Sequence, residues 1–68
     1  MLSRAQACVA AQTGVDVSHY SYMVRADDQF IYDVEFHGYN RSTRIPKGFF
    51  VHIDKKTNDC RVDPLPRQ

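Results

Sequence analysis

Hydrophobic and polar positions alternate most strictly over residues 29–36, QFIYDVEF, where Phe30, Tyr32, Val34 and Phe36 fall on one side and Ile31, Asp33 and Glu35 on the other. A period of two over that length predicts a strand with one dry face. The same period recurs over 18–25, with Tyr20, Tyr22 and Val24 opposed to His19, Ser21, Met23 and Arg25. Asp27 and Asp28 between the two runs are turn formers, which predicts a hairpin. Its apolar faces coincide only where paired residue numbers sum to an even value, as in Val24 with Phe30 or Val24 with Tyr32. Either pairing sets His19 opposite Glu35 or His37.

Further along, Phe49, Val51 and Ile53 alternate with Phe50, His52 and Asp54, a third strand. The segment DKKTN that follows predicts a tight turn, in which Asn58 adopts the left-handed conformation more readily than most residues other than Gly. Residues 59–63 predict a short fourth strand with Cys60 and Val62 inward, ended by Pro64 and Pro66. Between the second and third strands, 38–47 breaks the alternation with Gly38, Asn40, Ser42 and Pro46, and predicts the longest loop.

Ahead of the strands, Ser3 followed by Gln6 forms a capping-box pattern. Ala5, Ala7, Ala10 and Ala11 are strong helix formers, and Gly14 stands where a left-handed residue would end a helix over 4–13. Ala5, Cys8, Val9 and Gln12 share one face of it. Their small side chains suit close packing on a sheet of large ones, namely Tyr20, Tyr22, Phe30, Tyr32, Val34, Phe36, Phe49, Val51 and Ile53. The expected architecture is α+β, one N-terminal helix packed on a four-stranded antiparallel meander sheet. Residues 1–63 form the single domain and 64–68 a loose tail.

The Ala-rich helix, the run Tyr32-Asp33-Val34-Glu35-Phe36 and the run Val51-His52-Ile53-Asp54-Lys55-Lys56-Thr57-Asn58 together resemble the small PepSY-like domains. Those place an aromatic-x-Val-x-Phe strand before a Val-x-Ile-Asp strand that enters an Asp-x-x-Thr-Gly turn. Asn58 stands here in place of the usual Gly. The resemblance implies a non-catalytic domain that inhibits or chaperones another protein.

With 68 residues there is room for one small core and no second domain. The net charge of +1 excludes a strong global field, so a charged partner would be recognised locally. No run approaches the roughly 20 apolar residues of a membrane span, and the N-terminus reads poorly as a signal peptide, so the expected location is cytoplasmic. Cys8 and Cys60 are accordingly expected as reduced thiols packed as small hydrophobes.

His19, His37 and His52 all fall on the face away from the helix, near Asp33 and Glu35. Two such side chains can meet across neighbouring strands, whereas zinc needs three or four, so no metal and no cofactor is assigned. Acid–base catalysis by Asp33 and Glu35 would need a pocket that separates their pKa values, and one sheet under one helix offers little concavity. There is no nucleophile motif or Gly-rich phosphate loop, and the expectation is a protein that is not an enzyme.

Two polar and apolar features point to binding instead. Tyr39, Arg41, Arg44 and Lys47 put three cations and an aromatic ring on the 38–47 stretch without an acid. Met23, Ile31 and Phe50 lie on the outer sheet face, which a single helix cannot cover. The expected function is a protein-binding module, an inhibitor or modulator that blocks a larger protein. Its contact patch would join the 38–47 loop to the outer face. Small antagonists of this kind are carried by phages and mobile elements, an argument by association only. A homodimer would use the same open face. Nucleic acid, held by the basic loop, is the alternative, and a membrane is not expected.

Overall fold

The computed structural model describes residues 1–39 and 46–65. Helix α1 (Leu2–Thr13) precedes four strands, β1 (Ser21–Asp27), β2 (Ile31–Tyr39), β3 (Pro46–Asp54) and β4 (Cys60–Leu65). The strands form one antiparallel sheet in the order β1-β2-β3-β4, a meander with the helix on one face.

The helix starts earlier than its capping-box pattern suggests. Met1 is the N-cap without a side-chain bond, Ala5 N–H donates to the Met1 carbonyl at 3.0 Å, and Ser3 sits inside the first turn. Its other end is where glycine places it: Gly14 has φ 76° and donates to the Ala10 carbonyl at 2.9 Å. Ala5, Cys8 and Val9 are the buried face. Val17, in the connection to β1, is also buried, and closes one end of the core.

The β1–β2 register differs from both pairings expected. Val24 stands opposite Val34 and Tyr22 opposite Phe36, so parity holds but the hairpin is longer by two residues than the nearer alternative. The reason lies at its tip. A bulge between Val24 and Ala26 shifts the register, so that Ala26 faces Asp33 and Asp27 faces Tyr32, and 28–30 make the turn. Asp28 Oδ1 accepts from the Phe30 and Ile31 amides at 2.7 and 2.9 Å. Phe30 is therefore a turn residue and is exposed. His19 precedes β1, and it is Ser21 that faces His37.

Two boundaries also move. Strand β2 runs on through Gly38 to Tyr39, and Lys47 and Pro46 pair with Gly38 and Tyr39, so the expected loop is shorter at both ends. A side chain at residue 38 would meet the Tyr20 ring at 2.8 to 2.9 Å, so Gly38 keeps its place in the strand by giving that ring room. Strand β4 continues through Pro64, opposite Phe49, to Leu65, because a proline is tolerated on an edge strand. The 54–58 turn closes as expected: Asn58 has φ 67° and its N–H donates to the Asp54 carbonyl at 2.7 Å, while Asp54 Oδ1 accepts from the Lys56 amide at 2.8 Å.

The core comprises Tyr32, Val34, Phe36, Phe49, Val51 and Ile53 from β2 and β3, with Ala5, Cys8, Val9 and Val17 above them. Tyr20, Cys60 and Val62 pack at its margin. Tyr22 and Phe30, expected under the helix, are outside it. The helix packs against β3 and β4, which leaves β1 uncovered. A helix about 10 Å across covers roughly two strands spaced about 4.8 Å apart.

Cys8 and Cys60 are joined by a disulfide with Cα atoms 6.6 Å apart, which corrects the expectation of two reduced thiols. They meet because each belongs to a buried or half-buried position of the helix–β4 contact, at a separation a disulfide spans. Gln12 Nε2 donates to the Cys60 carbonyl at 3.2 Å and an Arg4 Nη2 to the Asn58 carbonyl at 2.5 Å, on the same side. These links hold the helix over β4 and away from β1.

Candidate protein-binding surface

Because the helix lies over β3 and β4, edge strand β1 presents side chains on both faces of the sheet. Tyr22 and Val24 point to the helix side and remain 53% and 43% exposed, while Met23 on the outer side is 52% exposed. Phe30 at the adjoining turn is 62% exposed. Apart from Met1 at the terminus, these four are the strongly exposed large hydrophobic residues among the described residues. Tyr22, Val24 and Phe30 were not readable as surface residues from their alternation. The missed signal was β1's place at the edge, together with a helix too narrow to reach it.

The outer face is a mosaic of ion pairs and histidine–carboxylate contacts, some across neighbouring strands and some between alternate residues of one strand. Met23, Glu35, Phe50 and Asp63 form one row across the sheet, and Asp33, His52 and Arg61 the next. Arg25 Nε lies 3.5 Å from Glu35 Oε2, and His37 Nε2 lies 3.0 Å from Glu35 Oε1. His52 Nδ1 stands 2.5 Å from Asp33 Oδ1, and Arg61 Nε is 3.4 Å from Asp63 Oδ2. Each pair is at the surface, where such contacts contribute little to stability. Among the described residues no group of three or more His, Cys, Asp or Glu is arranged to hold a metal ion.

Of the residues assigned to binding, Met23 is exposed on the outer face and Ile31 and Phe50 are half-buried there, Phe50 opposite Glu35 and Ile31 opposite Asp54. Lys47 is exposed in β3, and Tyr39 is the last residue of β2. Arg41 and Arg44 lie outside the described residues. At the turn, Lys55 Nζ reaches Asp27 Oδ1 at 2.6 Å and the Asp28 carbonyl. The Asp28 carboxyl is held below its ordinary pKa of 3.8, chiefly by the Ile31 and Phe30 amides. Asp16 is held low in the same way by the Ser18 amide and hydroxyl.

Among the described residues no helix is long and apolar enough to cross a membrane. No protein-family model matches the chain, and neither do any curated proteins or solved structures.

Proposed function

We propose that this chain is a small protein-binding module, without catalytic activity of its own, that inhibits or modulates a larger protein by occupying its surface. The observation that carries the reading is the accumulation of Tyr22, Met23, Val24 and Phe30 at one edge. An apolar cluster of this kind, next to a rim of paired charges, is how contact surfaces are built. On the outer face Ile31 and Phe50 add half-buried apolar positions, with Glu35 standing between Phe50 and Met23. The resemblance to PepSY-like domains supports the same reading.

The expected cytoplasmic location rested on an N-terminus that reads poorly as a signal peptide and on the lack of a membrane-spanning run, and reduced thiols were expected from it; a Cys8–Cys60 disulfide favours an oxidising compartment instead. The domain is therefore best read as working where that bond persists.

Photo-crosslinking in the native host tests the reading. A photoreactive residue at Met23 or Ile31 should capture one and the same heterologous protein, and one at Ala7 or Ala11 on the exposed helix side should not. Capture from the helix positions alone would overturn it. Capture that fades steeply with salt and yields nucleic acid would favour the alternative partner.

A further inference from the structure

The sheet has two edges, and they are unlike. Strand β4 carries Pro64, which lacks a donor, and is tied to the helix through Cys60. Strand β1 carries no proline, and an edge strand offers unpaired N–H and C=O groups to another strand. Its charges are already answered within the chain, Arg25 by Glu35 and Asp27 by Lys55. What it offers outward is backbone and the apolar side chains of Tyr22, Met23 and Val24.

We propose that β1 pairs antiparallel with β1 of a second copy, about a two-fold axis through Met23. This rests on the reading of β1 as a contact surface and names its first occupant. The register follows from face and length. The regular pairs of β1 run over 21–24 and end at the bulge at Arg25, and Met23 is the centre of the exposed triad Tyr22, Met23 and Val24. About that axis Tyr22 of each copy faces Val24 of the other on the helix side, an aromatic and β-branched pair that suits a sheet. Met23 meets Met23 on the outer side, and Ser21 meets Arg25.

The neighbouring registers fail. A slip by one residue opposes side chains of different faces. An axis through Val24 sets Tyr22 opposite Ala26, which the bulge has turned to the outer face opposite Asp33. An axis through Tyr22 sets Arg25 opposite His19 and Val24 opposite Tyr20, whose ring is already seated over Gly38. The chosen pairing is isologous and closes on itself. It joins two sheets into one of eight strands with both helices on one side, and the paired Met23 residues lie at the centre of a doubled outer face that the larger protein would meet. A standard interface buries about 800 Å² per partner, more than one short strand supplies, so the dimer is weak and concentration-dependent.

Directed cross-linking tests it. With the Cys8–Cys60 bond closed, Met23→Cys should form an intermolecular disulfide, because directly opposed Cα atoms stand about 4.5 to 5.5 Å apart, within disulfide reach. Tyr22→Cys should link at least about tenfold more slowly, since its own counterpart is displaced by two residues, about 8 Å away. Peptide mass mapping identifies the linked positions. In sedimentation equilibrium the parent should move from monomer to dimer mass between low micromolar and millimolar protein, and Val24→Lys should stay monomeric at native circular dichroism. A parent that stays monomeric throughout, or equal linking rates at positions 22 and 23, overturns the proposal. Neither result touches capture of a heterologous protein from Ile31, so the two readings fail separately.

Discussion

Val24 and Val34 face each other across β1 and β2 on the same side of the sheet, yet Val34 is fully buried and Val24 is 43% exposed. One strand's spacing carries a valine from the core to the surface. Val34→Ala should therefore cost about 2 kcal/mol in urea unfolding, from lost burial and a residual cavity, while Val24→Ser should change stability by less than about 0.5 kcal/mol. The same contrast should hold for Phe36→Ala, at about 3 to 5 kcal/mol, against Phe30→Ala in the turn. Equal costs for Val34 and Val24 would mean that the helix covers β1, and equal costs for Phe36 and Phe30 that the turn residue is buried.

The Cys8–Cys60 bond spans 52 residues of sequence. On the chain-entropy account a loop of this length stabilises the fold by about 4 kcal/mol. A domain this small has little more to lose, so Cys8→Ser with Cys60→Ser should lower the melting temperature by on the order of 20 °C. Differential scanning calorimetry of parent and double variant measures it, and reduction of the parent should reproduce the shift. Alkylation of thiols in the native host before lysis reports which state is present there.

Gly48 and Gly38 are both pressed by neighbours, but the neighbours differ in kind. A side chain at residue 48 would stand 2.5 Å from the Phe36 carbonyl oxygen, which belongs to the backbone and cannot step aside. Gly48→Ala should cost about 3 kcal/mol. At Gly38 the obstacle is the Tyr20 ring, which can rotate outward, so Gly38→Ala should cost less. In the Tyr20→Ala background the Gly38→Ala penalty should largely vanish, a coupling that a double-mutant cycle reads directly.

Acidification should loosen the β1–β2 turn. The Asp28 carboxyl has a lowered pKa because its charged form accepts the Ile31 and Phe30 amides. A group lowered on folding stabilises the fold above its ordinary pKa of 3.8, and that contribution is lost as pH falls through the lowered value. The Phe30 and Ile31 amide resonances should therefore titrate together below pH 3.8 in the parent and not in Asp28→Asn. Titration at or above the ordinary value would remove the hydrogen bonds from the account.

Local pattern placed the inner strands, the helix end and one turn, but it misplaced the helix start, which precedes the Ser3 capping box, and the end of β4, which runs on through Pro64. The period of two placed β2 and β3 and their inward residues Tyr32, Val34, Phe36, Phe49, Val51 and Ile53, and the conformational needs of Gly14 and Asn58 placed the helix end and the β3–β4 turn. Alternation reports only which residues share a face, however, and not whether anything lies over that face. Tyr22 and Phe30 read like Tyr32 for that reason. Their exposure was decided by where one helix, wide enough for two strands, came to rest, and the Cys8–Cys60 bond with the Gln12 and Arg4 contacts put it over β4. The hairpin register was decided by the bulge beside Arg25, and Gly38's place inside β2 by the Tyr20 ring above it. Each of these depends on residues distant in sequence meeting in space, which no local period can encode.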